Sequence, residues 1–151
     1  MSSGKAHDLS IAIMLPPVVI TAFIYLPTFI HTAAAPIIAI SGYLIGGVWM
    51  SPDIDLKQSR PSQRLSILSP LWKPYRKASG HRGFSHVPVV GTLSRMIYIA
   101  IPAIFWALIV SYNPTNFLWQ NRENLAAIFL GLEASCFVHL IMDYVPGLNR
   151  N

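Results

Sequence analysis

The sequence predicts an all-α protein, a bundle of four transmembrane helices with a long cytoplasmic loop between helices two and three. Composition is the first reason. Hydrophobic residues make up 53% of the 151 residues and charged residues 11%, against roughly 25% charged in an ordinary soluble domain. The mean hydropathy is +0.48, too high for a soluble globule to cover itself with polar surface. The second reason is four apolar stretches, each near the roughly 20 residues needed to cross a hydrocarbon core. The third is a crowding of basic residues on one side of those stretches. A chain of this length holds a single domain, 1–151. It shows no internal repeat, low-complexity segment or linker.

The first span, 9–30, contains Pro16 and Pro17. They should kink or locally unwind it, which membrane helices tolerate better than soluble ones. Its 22 residues exceed the apolar core of a signal peptide, so Ala33-Ala34-Ala35 is not read as a cleavage site. The second span, 33–50, carries Gly42, Gly46 and Gly47, small residues that let a neighbouring helix approach closely. So short a connection makes the two an antiparallel hairpin around His31, itself read as an interfacial residue. The third span covers 87–110 and the fourth 125–142.

Four crossings place both termini and the 51–86 connection on one face. Lys57, Arg60, Arg64, Lys73, Arg76, Lys77 and Arg82 lie in that connection, seven of the eleven basic residues. Lys5 and Arg150 share the face, and only Arg122, beside Glu123, lies opposite. By the positive-inside rule the termini and long loop are cytoplasmic. The expected protein is therefore a multi-pass integral membrane protein whose partner is the lipid bilayer. With its cations committed to topology, it is not expected to bind nucleic acid. Trp72 and Tyr75 interleave with Lys73, Arg76 and Lys77, a mixture suited to the headgroup layer. The single cysteine, Cys136, excludes an intrachain disulfide and a CxxC zinc site. It reads as a small packing residue.

Histidines and acids gather at four helix ends. His7 and Asp8 precede span one, Asp53 and Asp55 follow span two, His81 and His86 precede span three, and His139 and Asp143 close span four. In an up-down bundle these four places share one membrane face. They account for four of the five histidines and four of the six acids, so a chain poor in charge has placed most of its metal-ligating groups in one layer. His139 and Asp143 are four apart and share a helix face, about 6 Å apart along the axis. Imidazole with carboxylate is a ligand set for zinc, manganese or iron. Eight candidates exceed the three ligands of a usual catalytic zinc. One or two divalent transition-metal ions are expected, zinc first, with some aspartates orienting imidazoles from behind. Each pair alone also has a structural reading, as a helix-end residue, a solvated turn or a basic anchor. The convergence carries the metal reading.

Pro52-Asp53-Ile54-Asp55, Gln63-Arg64, Gly80-His81-Arg82-Gly83-Phe84-Ser85-His86, and His139 with Asp143 together resemble the membrane-bound metal-dependent hydrolase family typified by a LexA-regulated bacterial inner-membrane protein. The opening Ser3-Gly4-Lys5-Ala6-His7-Asp8 and the short length are closer to its relative, the uncharacterised metal-binding membrane proteins common in cyanobacteria. The resemblance covers nearly the whole chain and is most specific in the His-Arg-Gly-Phe-Ser-His element, where threonine also replaces Ser85. It implies metal binding and suggests hydrolysis.

The leading expectation is a metal-dependent hydrolase at the cytoplasmic membrane face. Bound metal would lower the pKa of a water, Asp55 or Asp8 would accept its proton, and Arg82 would stabilise developing negative charge. The basic approach points to an anionic lipid or other phosphoester substrate. A non-catalytic metal-binding sensor, chaperone or structural subunit is the alternative. A transporter ranks lower, because only Glu133 and Arg95 lie at the depth such a function needs. Those two buried charges are expected to meet as a clamp.

Overall fold

A computed structural model describes residues 4–64, 69–80, 83–110 and 113–144, and the regular structure among them is entirely helical. The helices are α1 (Gly4–Tyr25), α2 (Ala35–Val48), α3 (Arg60–Arg64), α4 (Lys73–Ser79), α5 (Val90–Ile109), α6 (Pro114–Gln120) and α7 (Arg122–Tyr144). Short 3₁₀ turns cover Leu26–Thr28, Pro52–Asp55, Ser69–Trp72 and Phe84–His86.

α1 starts earlier than the apolar run does. His7 and Asp8 therefore lie within its opening turns rather than ahead of it, and the helix continues through Pro16 and Pro17. Among the described residues, three helices are long and apolar enough to cross a membrane, Gly4–Thr28, Val90–Ile109 and Arg122–Tyr144. Four were expected, and the correction falls on the second. α2 has 14 residues, a rise of about 21 Å, short of a full hydrocarbon core. Pro36 lies in its first turn, where the missing N–H costs no intrahelical bond. Trp49 leaves helical geometry at its end. The outer residues of the apolar run are spent on the turns that flank it.

Small residues decide where α2 sits. A Cβ on Gly131 would stand 1.9 Å from the Ala39 carbonyl oxygen, and one on Gly46 would stand 2.1 Å from Ser135 Oγ. The α2 and α7 backbones therefore touch, closer than any larger side chain would permit. At one end Glu123 Oε2 accepts hydrogen bonds from the backbone N–H of His31 and Thr32 and from Thr32 Oγ1, at 3.1, 2.9 and 2.8 Å. This ties the start of α7 to the α1–α2 turn. The candidate metal ligands gather at the opposite end of the same three helices.

α5 is peripheral. Only Gly91, Thr92 and Arg95, all in its first half, are buried, while Phe105 and Trp106 remain 65% and 66% exposed. Leu9, Ile13, Ile20 and Phe23 of α1 are likewise exposed. Apolar patches of this extent are rare on monomers surrounded by water, and they suit an apolar medium.

The described residues of the 51–86 connection form a folded cap rather than an open loop. Ile54, Trp72 and Tyr75 are buried together, with Phe84 and Tyr98 packed against them. Arg76 donates to the Ile54 and Ser69 carbonyl oxygens at 3.0 and 3.1 Å and to Ser62 Oγ at 3.1 Å. Trp72 and Tyr75, expected at the lipid headgroups, are each 4% exposed and form the core of the cap. Lys73 and Lys77 stay outside. Burying Ile54 fixes the turn that presents Asp53 and Asp55.

Candidate metal centre

Each contributing side chain is placed by a local device. His7 is on α1, where Ser10 Oγ donates to its carbonyl oxygen at 2.8 Å. Asp53 and Asp55 occupy the 3₁₀ turn that follows Ser51, whose Oγ accepts from the Asp53 N–H at 3.3 Å. His139 and Asp143 occupy successive turns of α7, as their spacing of four requires. His86 ends the Phe84–His86 turn.

That last turn is the most heavily braced. Arg95, 2% exposed, donates to the Ser85 carbonyl oxygen at 3.0 Å and to Thr92 Oγ1 at 3.1 Å. Glu133 Oε1 accepts from the Val89 N–H at 2.9 Å. Val89 has φ 67°, and the Val90 N–H donates to the Pro88 carbonyl oxygen at 2.7 Å. This is a γ-turn of the strained, positive-φ form, rare for a β-branched residue. Strain of order 1–3 kcal/mol persists only where the surroundings over-determine it. The expected Glu133–Arg95 clamp does not form, since among the described residues neither hydrogen bond nor ion pair joins them. Each holds the backbone of the His86 turn instead, and that use accounts for two buried charges in so apolar a bundle.

The donors converge. His139 Nε2 lies 3.5 Å from Asp53 Oδ1 and 3.6 Å from Asp143 Oδ2. His86 Nε2 lies 3.6 Å from Asp53 Oδ1, and His7 Nε2 lies 3.4 Å from Asp143 Oδ1. These gaps exceed a hydrogen bond, whose N–H···O distance is about 2.7–3.2 Å. They match the edge of a ligand tetrahedron, about 3.3–3.4 Å for metal–ligand bonds of about 2.0–2.1 Å. His86 Nε2 and His139 Nε2 are buried without a hydrogen-bond partner among the described residues, although a buried imidazole nitrogen left unpaired is costly. A divalent cation among these donors would satisfy both nitrogens at once. The residues fit a transition metal.

Charge and tautomer agree. Burial alone would raise the Asp53 carboxyl, but contacts with the His139 and His86 rings and the field of His139 and His7 outweigh it and hold Asp53 well below the usual carboxylate range. Asp53 is thus an anion ready to bind a cation. Ser85 Oγ donates to Asp55 Oδ2 at 3.0 Å and lies 3.0 Å from His86 Nδ1, which is itself 3.5 Å from Asp55 Oδ2. With its hydroxyl hydrogen directed at Asp55, Ser85 Oγ accepts from His86 Nδ1–H. This network assigns the proton to Nδ1 and leaves the Nε2 lone pair facing the other donors, as in a carboxylate–histidine–metal arrangement.

The expected site residues separate into groups. His7, Asp53, His86, His139 and Asp143 come together, in two overlapping triads whose donor atoms lie within 4.8 Å of one another. Asp55, with no exposed side-chain area, stands behind His86 rather than on a solvent-facing wall. That is the place of an orienting group, not of a proton acceptor. Asp8 turns away from the cluster. Its Oδ2 accepts from Arg64 Nη2 at 2.6 Å and from Arg60 Nη1. His81 and Arg82 lie outside the described residues. Ser85, Arg95 and Glu133 were not read from the sequence as parts of the centre. A hydroxyl beside a candidate histidine was the available signal for Ser85. The charges of Arg95 and Glu133 are plain in the sequence, but charge alone pairs them with each other.

Two openings reach the cluster. A cleft of about 400 Å³ is bordered by His7, Asp8, Asp53, Lys57 and Arg60. A second, of about 380 Å³, is bordered by Gly83, His86, Asp143 and Tyr144. The donors are therefore approachable from the cap on one side and from the end of α7 on the other.

Residues 2–150 match the family described as Uncharacterized metal-binding protein (DUF2227). A protein of Aquifex aeolicus (strain VF5), described as uncharacterized, is 34% identical over 121 residues, which span 69% of this chain and 86% of that protein. No solved structure matches.

Proposed function

The chain belongs to the uncharacterized metal-binding protein family DUF2227, and from that premise we propose that it is a membrane-embedded, metal-dependent hydrolase. Asp53, His86, His139 and Asp143 would hold a divalent transition metal, zinc in preference to manganese or iron. The reading rests on one observation. Two buried imidazole nitrogens, without a hydrogen-bond partner among the described residues, face the same carboxylate oxygen at 3.5 and 3.6 Å, beside clefts that admit a ligand.

Once bound, the metal would supply Lewis acidity and a water of lowered pKa. The chain's own residues do the rest. Asp55 and Ser85 fix the His86 ring and its tautomer. Asp8 borders the larger cleft without facing the imidazole cluster, and its carboxylate there holds Arg60 and Arg64 in place. Lys57 and Arg60 on the same wall favour an anionic substrate, a phosphoester or an anionic lipid headgroup. Membrane embedding is supported by three helices long and apolar enough to cross. The bias of basic residues supports a cytoplasmic face for the site and both termini.

The test is hydrolysis of bis(p-nitrophenyl) phosphate and short-chain anionic phospholipids by the detergent-purified full chain. Zinc- and manganese-loaded protein would be compared with His86→Ala. Metal-dependent turnover lost in the variant supports the reading. A metal-replete wild type inert towards every phosphoester offered would leave a metal-binding sensor or structural subunit instead.

A further inference from the structure

The two overlapping donor triads share His139, and the stacking of the histidine rings decides how ions can be divided between them. His7 and His139 lie face to face, with ring centroids 4.0 Å apart and planes 16° from parallel. An imidazole nitrogen binds metal along a lone pair in the plane of its ring. Planes so nearly parallel at that spacing do not meet within a metal–nitrogen bond of about 2.0–2.1 Å. One ion cannot lie in both.

Asp143 fits the same division. Its Oδ1 is 3.4 Å from His7 Nε2 and its Oδ2 is 3.6 Å from His139 Nε2, so a single carboxylate presents a separate oxygen to each stacked ring. On the His139 side the donor set is completed by Asp53 Oδ1 and His86 Nε2. On the His7 side a donor oxygen of Asp53 lies within 4.8 Å of the donor nitrogen of His7.

Building on the metal centre described above, we propose that the site holds two divalent ions, the second bound by His7, Asp143 Oδ1 and Asp53, with the Asp143 carboxylate bridging the pair. One carboxylate shared in this way suits a pair of ions about 3.5–4 Å apart, the range at which paired metals act on one substrate. His7 is then a metal ligand supplied by α1. The opening turns of that helix lie across the cap residues, as the packing of Gly4 on the Arg60 side chain shows. The larger cleft runs between them, and its anionic ligand would meet the second ion first.

The experiment is a manganese(II) titration of the detergent-purified full chain, followed by electron paramagnetic resonance and by metal analysis after removal of free ion. Two equivalents are expected, with the six-line signal of isolated manganese replaced by a broadened, exchange-coupled spectrum at saturation. His7→Ala should fall from two equivalents to one and show only the isolated-ion spectrum, with its helical circular dichroism unchanged. Saturation of the wild type at one equivalent, with uncoupled signal throughout, overturns the two-ion inference while leaving the metal centre in place. That outcome is read on the wild type alone and needs no variant to fold. A wild type that binds no ion sinks the metal centre itself.

Discussion

Ser85→Ala isolates the support behind the metal ligands. Ser85 is fully buried, and its hydroxyl is the link between the Asp55 carboxylate and His86 Nδ1, with both contacts at 3.0 Å. Removing it leaves the His86 ring attached to Asp55 only across the longer gap of 3.5 Å. Losing a second-layer partner of a metal-bound histidine costs about 10–100-fold in affinity, or about 1.4–2.7 kcal/mol. The apo protein also loses a buried hydrogen bond to a carboxylate, about 1–3 kcal/mol of stability. Competition with a chromophoric zinc chelator reads the affinity and thermal denaturation of the apo form reads the stability. Ser85→Thr keeps the hydroxyl and should restore zinc affinity to within a few-fold of wild type. An apo protein destabilised in Ser85→Ala but binding zinc as tightly as wild type would refute the tautomer-setting role, because a purely structural hydroxyl gives that result.

Asp8→Asn tests the division among the acids. Its partners Arg60 and Arg64 are 43% and 30% exposed in their side chains, and such pairs contribute about 0–1 kcal/mol. Metal stoichiometry should therefore stay unchanged and stability move by no more than that, as read by metal analysis and thermal denaturation. Gly131→Val forces a side chain towards the Ala39 carbonyl oxygen, which a Cβ alone would already meet at 1.9 Å. The loss should be at least the 1–3 kcal/mol of an overpacked core, measured as a fall in unfolding midpoint in detergent. Asp53 gives the acid limb. Its carboxyl is held low in the folded chain, so its contribution to apo stability is complete above the unfolded value of about 3.9 and is lost as pH falls below it towards the folded value. Asp53→Asn should flatten the stability profile of the apo protein below about pH 4, as read by thermal denaturation across pH.

Much of the centre was legible because helix ends are legible. Apolar runs place the boundaries of α5 and α7 within a few residues, and the spacing of His139 and Asp143 fixes a shared helix face. The alternating direction of the spans then puts His7, Asp53 and His86 beside that face. The rest depended on contacts between distant parts of the chain. Asp8 is drawn away by Arg60 and Arg64, more than fifty residues later, and a local motif carries no trace of that. Asp53 and Asp55 look alike in sequence, but the burial of Ile54 between them directs one to the donor cluster and the other behind His86. Composition gave α2 the length of its apolar run, whereas Pro36 and Trp49 allow the helix 14 residues. Trp72 and Tyr75 suited a headgroup layer by type, yet the cap needed a core and Ile54 supplied the surface for it. Glu133 and Arg95 were paired by charge, while an unsatisfied backbone at Ser85 and Val89 claimed both.

X-ray absorption at the zinc edge of the zinc-loaded full chain tests the ligand set most directly. The expected spectrum has a shell of nitrogen and oxygen alone at about 2.0–2.1 Å, with the outer-shell scattering of imidazole and no sulfur at about 2.3 Å. The imidazole scattering should weaken in His139→Ala. A spectrum without imidazole, or one with a sulfur shell from Cys136, would contradict the assignment of these histidines and aspartates as a metal centre.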